Sequence, residues 1–526
     1  MIISLLAGAA YALAGQEPHA QLGPSVTAVL AIAARPTPLR TGIGSAHDAV
    51  ATKSKEAQAF YDQSLAYLHS YVWLEAARSF NQALRIDPTL AIAHAGLSLA
   101  YTELNAATAA RDALARARAM GPAANDHDRR HIDARALQAA AEAAPRDLAK
   151  LTAYRAALDA ALATYPADEE FLLARGQAES PDPAERGQGS VAASAAYYRK
   201  ALATAPMHFA AHHYLTHSYE NTGRIAEALA EGATYAKMAP DVAHARHMHG
   251  HNLRRVGRIE EAIAEFSAAD TLGSDYLTRE QIPVEYDWHY QHNLDLLGTS
   301  YQYVGRMAKA EVPLKASFAI SSSLLVQEFN KREWPAFLLS RGRVQESLEA
   351  ANVLAAHRSP VVSAIGHVAA GHARLTMGDY KAASEEANAA LRLIRGAEGG
   401  GLVAVPLQAL QGEFLLRTGQ TEKGRPMLED VARKARAAAG PDAWTQALFT
   451  LEAIARAARD SGAWDVAAWA ARQMFDHDPH YAGTHLALGL VAQHNGDPAA
   501  ARSAFELVRE YWKNADRDLP EWNAIK

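Results

Sequence analysis

The sequence predicts an all-α protein built from antiparallel helix pairs repeated along the chain. Three observations carry that prediction. Alanine-rich stretches of about 12 to 18 residues put apolar side chains at helical spacing between short Gly, Pro or Asp breaks. Runs rich in β-branched residues are nearly missing, which argues against a sheet. A pattern of small and large residues recurs at a fixed offset from a turn glycine, the mark of an internal repeat.

Taken in order, the chain opens with MIISLLAGAAYALAGQ. The first 14 residues are uncharged, and Ala-Leu-Ala ending at Ala14 is a small-x-small cleavage pattern. Residues 1–14 therefore read as a signal peptide, although no Lys or Arg precedes the apolar run. A periplasmic or secreted location is expected; the alternative is a cytoplasmic chain with an ordinary apolar N-terminal helix. Residues 15–52 form an N-terminal extension whose apolar stretch VTAVLAIAAR is too short to span a bilayer. Nothing later in the chain reaches ~18 uncharged apolar residues, so no stable membrane insertion is expected.

From 53 to 395 the repeat is legible. YVWLEAARSFNQALRIDP contains Ala76, Phe80, Ala83 and Pro88, and TGRIAEALAEGATYAKMAP sets Gly223, Ala228 and Pro240 at matching offsets. Gly257, Ala262, Phe266 and Ala269 follow, then Gly378, Tyr380, Ala383 and Ala390. Farther on come Leu488, Gly489, Gly496, Ala501 and Phe505. Small residues let two helices approach, and the larger ring fills the space beside them. The pattern resembles the tetratricopeptide repeat, a 34-residue helix–turn–helix unit. That resemblance implies a right-handed superhelical solenoid of about 10 helix pairs. Two breaks interrupt it, AESPDPAERGQGS and RGAEGGGLVAVP. The second, at 396–406, reads as a Gly-rich linker before C-terminal helices at 407–526, which ADRDLPEW closes as a polar cap.

Composition bounds the function. The chain has 526 residues, 49% hydrophobic and 21% charged, with a net charge of -6. No basic excess is available to release phosphate counterions, so nucleic acid is not an expected partner. Cysteine is absent, which removes disulfides, thiolate metal sites and cysteine nucleophiles. Any metal must be held by nitrogen and oxygen.

Histidine supplies the nitrogen. Eight of the 23 lie between His208 and His251. With Gly223 and Gly257 taken as equivalent turns, His213 matches His247 and His217 matches His251, each pair 34 residues apart. Within each helix the pair is i,i+4 and shares a face with His244, and with Glu220 on the first helix. His292 matches His244 before the next turn, Gly305, and Asp295 takes the position of His213 and His247. The tetratricopeptide resemblance implies that these first-helix positions line a concave groove. The arrangement is also similar to exported bacterial tetratricopeptide proteins carrying an H-x-x-x-H helix followed by H-x-x-H-M.

The pattern points to a metal site of His213, His217, His247 and His251, with His244, His292 and Glu220 next nearest. All-nitrogen ligation suits copper or zinc, and a carboxylate added from Glu220 or Asp295 suits iron. The competing reading is a non-catalytic scaffold whose groove binds a peptide, a partner protein or a small molecule. His249, His208 and His212 fall off the shared face, and His289 is a weaker candidate. His47 and His69, beside the first repeat, are placed to close over the groove or to serve as ordinary polar positions. There is no HExxH, G-x-S-x-G, Walker loop or dinucleotide fingerprint, so no catalytic residue is assigned and no nucleotide cofactor is expected.

Overall fold

A computed structural model describes residues 25–179, 190–322, 324–397, 399–438 and 442–525. The stretch read as a signal peptide, and most of the break AESPDPAERGQGS, lie outside the described residues. Among the described residues the regular structure is entirely helical, and no helix is long and apolar enough to cross a membrane. The helices come as pairs joined by tight turns: Lys55–His69 with Trp73–Ile86, Phe209–Asn221 with Ile225–Met238, Ala482–His494 with Pro498–Tyr511.

The turns explain the pairing. Gly223, Gly257, Gly305, Gly378 and Gly496 all have φ between 73° and 78°. A residue bearing a Cβ meets a penalty of roughly 1–2 kcal/mol in this left-handed region, so glycine ends the first helix and reverses the chain at little cost. Small residues then let the two helices close. A Cβ added at Gly250 would stand 2.8 Å from the Phe266 ring, and one at Gly489 2.3 Å from Phe505. Phe266 is fully buried as a result. Burying a side chain of that size contributes roughly 1.5–3 kcal/mol.

The chain divides into two compact units. The N-terminal unit takes in the described residues up to Val256 together with Ala264–Tyr290; the C-terminal unit takes in Gly257–Ile263 and Gln291 onward. In the N-terminal unit the extension is part of the core. Its helix Val26–Ala33 leads into a segment that buries Ile43, Ala46 and Val50. The Asp241 N–H donates to the Gly42 carbonyl at 2.9 Å, and Arg40 pairs with Glu280 at 2.5 Å. This segment also carries Asp48 to its place beside the helix Asp126–Glu142.

Two features of the C-terminal unit differ from expectation. The Gly-rich stretch 396–406 is only partly a linker, because the helix Gly401–Arg417 already runs through Pro406. Val403 and Leu407, on either side of this proline, are buried. The C-terminal cap is not simply polar either. Leu519 and Ile525 are buried with Met307, Trp334 and Trp512, and Glu521 pairs with Arg341 at 2.6 Å. Around this apolar contact Asp516 accepts the Ala308 N–H, while Arg517 and Asp518 are exposed.

Candidate metal centre

The N-terminal unit brings His213, His217 and His244 together. The first two lie one turn apart on Phe209–Asn221, and His244 is the second residue of Ala243–Arg255. Their Nε2 atoms converge: His213 stands 3.1 Å from His217 and 3.0 Å from His244. Three nitrogens on a tetrahedral ion with bonds of ~2.0–2.1 Å would stand about 3.3 Å apart. The observed spacing is close to that.

The tautomer of His213 is fixed from behind. Its Nδ1–H donates to the backbone carbonyl of His69 at 2.6 Å. A carbonyl only accepts, so in the neutral ring the proton sits on Nδ1 and the lone pair on Nε2 points into the cluster. One lone pair accepts one proton in line, yet two imidazole nitrogens face it at hydrogen-bond distance. His213 and His244 are 0% and 3% exposed. Burial holds both well below the ordinary imidazole value and brings His217 down to about 4. All three are therefore neutral at pH 7, the form that ligates a metal.

Tyr71 covers the cluster. Its ring centroid is 4.7 Å from that of His213, 5.4 Å from His244 and 6.0 Å from His217. Tyr71 occupies the turn between Lys55–His69 and Trp73–Ile86, where most of the other tight-turn pairs have glycine and one has Asn105, and it has φ 58°. A tyrosine in the left-handed region is a strained choice, of the kind that persists where the surroundings over-determine it.

The other expected ligands are not part of this trio, although the His247 ring stacks on that of His244 with centroids 5.8 Å apart. His247 and His251 neighbour each other, with ring centroids 5.1 Å apart, and both pack against Phe266. His251 Nδ1 stands 3.2 Å from Glu220. Burial would raise the Glu220 carboxyl, but His251, with Arg255 behind it, outweighs that and holds it at about 2. Glu220 is thus engaged by His251. His292 and Asp295 belong to the C-terminal unit, where His292 stands 3.9 Å from Asp442 and Asp295 is buried. His289 packs closer to the cluster than its sequence position suggests, its ring centroid 4.4 Å from that of His244.

Two of the off-face histidines pair with glutamates: His249 meets Glu265 at 3.2 Å, and His212 meets Glu231 at 2.5 Å. His47 pairs with Asp62 at the surface. His69 is built into the surroundings of the cluster, bound to the Tyr214 hydroxyl at 2.9 Å and to Glu170 at 3.0 Å.

A cavity of about 190 Å³ adjoins this region. Residues of several helices line it, among them His69, Tyr71, Tyr214 and His131, together with Asp48. His213, His217 and His244 are not among its lining residues; Tyr71 and Tyr214, which touch His213, are.

Sequence reasoning missed a second constellation. DHDRRH carries another i,i+4 pair, His127 and His131, on Asp126–Glu142. Asp48 and Asp168 join them, with one ligand atom from each of the four residues within 4.8 Å of the others. The i,i+4 spacing was a signal available in the sequence. The two aspartates, about 80 and 40 residues away in the chain, were not.

No family model matches the chain, and no curated protein resembles it in sequence. Among solved structures it is similar to the APC/C hetero-tetramer Cut9-Hcn1, with 10% identity over 89% of each chain and a TM-score of 0.32. It is also similar to a human IFIT1 dimer with PPP-AAAA, with 11% identity over 88% of this chain and 92% of that one, and a TM-score of 0.34. Likenesses this distant carry no argument about function. On its own turn glycines and helix pairs, the described chain is an all-α array of repeated helix pairs, the architecture that the tetratricopeptide resemblance implies.

Proposed function

We propose that this repeat protein binds one transition-metal ion, zinc or copper, through His213, His217 and His244. The observation that carries the reading is the convergence of three neutral Nε2 atoms at 3.0 and 3.1 Å, two of them on buried rings and one oriented by the His69 carbonyl. Three imidazoles from two rigid helices leave a fourth position for water or another ligand, as in three-histidine zinc sites. An iron site would call for a carboxylate, and Glu220 is engaged by His251 instead. The fold by itself supports an interaction scaffold, since helical repeats present extended surfaces to partners. The metal reading adds a chemical feature to that scaffold.

The test is the metal content of tag-free protein dialysed against zinc or copper. His213→Ala/His217→Ala should lose one equivalent while keeping wild-type helicity. Unchanged metal content in that variant would refute the reading.

A further inference from the structure

The second constellation is built on another helix of the N-terminal unit and two non-helical segments, and it has a different donor set. We propose that Asp48, His127, His131 and Asp168 form a separate site for a divalent first-row ion with mixed nitrogen and oxygen ligation.

Four distances define it. His127 Nε2 is 2.8 Å from Asp168 Oδ2 and 3.3 Å from Asp48 Oδ1. His131 Nε2 is 3.9 Å from Asp48 Oδ2 and 3.9 Å from Asp168 Oδ2. Ligands on one tetrahedral ion stand about 3.3–3.5 Å apart, given bonds of ~2.0–2.2 Å. The four contacts straddle that value, so small side-chain movements satisfy an ion.

His127, His131 and Asp168 are each held by something other than the ion. His127 Nδ1 meets Asp128 at 3.2 Å, which turns Nε2 toward the aspartates. Asp128 is itself 1% exposed, and its other oxygen accepts the Ala51 N–H at 3.0 Å. His131 lies flat on Phe171, with ring centroids 3.8 Å apart and an interplanar angle of 8°. Its Nε2 is buried and makes no hydrogen bond, although it points between two carboxylates. Asp168 caps the next helix by accepting the Phe171 N–H at 2.9 Å through Oδ1, leaving Oδ2 toward the histidines. A simple ion pair between His127 and Asp168 accounts for one of these contacts and leaves the buried His131 nitrogen unexplained.

Two carboxylates and two imidazoles suit zinc, manganese or iron(II) better than copper(I). Asp48 and His131 also line the cavity, so an ion held there is reachable by solutes that enter it. This distinguishes it from the three-histidine cluster.

The experiment uses the full chain, stripped with a chelator and titrated with Zn²⁺, with bound equivalents read by elemental analysis after dialysis. Cobalt(II) absorption serves as a second readout. Wild type should bind two equivalents and His213→Ala/His217→Ala one. His131→Phe keeps the stack on Phe171 and should also leave one equivalent. Asp48→Asn, nearly isosteric, should weaken that site at least ~10-fold, and Asp128→Asn by ~10–100-fold through loss of orientation. If His131→Phe and Asp48→Asn both retain wild-type stoichiometry and affinity with normal helicity, the site is refuted. A wild type binding one ion, lost only in the His213→Ala/His217→Ala variant, refutes this site while leaving the three-histidine centre standing.

Discussion

His213 with His217, and His247 with His251, hold the same two positions on successive helices, and within the N-terminal unit they have different neighbours. The first pair meets His244 across a helix boundary at 3.0 Å. The second pair packs on Phe266, with His251 engaged by Glu220. Equivalent positions in a repeat point the same way, so their side chains run parallel and keep the ~8–10 Å spacing of the helices. Convergence needs a partner from a different position. His244 sits about one turn earlier on its helix and reaches across. Register identity therefore shows which histidines are alike, and offset shows which ones meet.

The sharpest way to break this comparison is to remove each group separately. His213→Ala/His244→Ala should abolish metal binding at the three-histidine centre. His247→Ala/His251→Ala should keep that equivalent, with a stability loss from the emptied space against Phe266. Elemental analysis of both variants decides it; equal loss in the two would mean that the four equivalent histidines act as one site.

The next effect concerns the cover. Tyr71→Gly removes a buried ring, at roughly 3–5 kcal/mol for a large aromatic, and relieves roughly 1–2 kcal/mol of left-handed strain. The net expectation is a loss of about 1–4 kcal/mol in urea unfolding, with faster metal release to a chelator. Gly223→Ala, at the matching turn, should cost only about 1–2 kcal/mol, from strain alone, because nothing lies within 4 Å of an added Cβ there. Similar losses and unchanged metal release in both variants would remove the special role of Tyr71.

Acid should act through the same cluster. Burial lowers His213, His217 and His244 in the folded chain below the unfolded value near 6.5. As pH falls, the unfolded state takes up protons first, so it is favoured. Metal-free protein should lose melting temperature from about pH 6.5 down toward about 4, where His217 itself titrates in the fold. His217→Gln should flatten that profile, and a wild-type profile flat across the window would contradict the assignment. The smallest effect is expected of Glu220→Gln, which weakens the contact to His251 by about 1–2 kcal/mol and leaves the metal equivalents unchanged.

Much of this was legible in the sequence, for local reasons. Turn glycines and helical periodicity depend on residues within one repeat, and Gly223, Gly257, Gly305, Gly378 and Gly496 all appear at positive φ. The histidine face was legible for the same reason, because i,i+4 spacing needs only one helix. What the sequence hid was geometry between helices: His244 as the third member, the His69 carbonyl that orients His213, and Tyr71 in place of a turn glycine. Asp48 was hidden most deeply. It comes from a non-helical segment with no period, and only packing brings it beside His127 and His131.

The most direct test of the three-histidine centre is anomalous diffraction at the zinc or copper edge from crystals of the metal-loaded full chain. The account predicts a peak between the Nε2 atoms of His213, His217 and His244, at ~2.0–2.1 Å from each. An empty position there, with a peak between His247 and His251 instead, would contradict it.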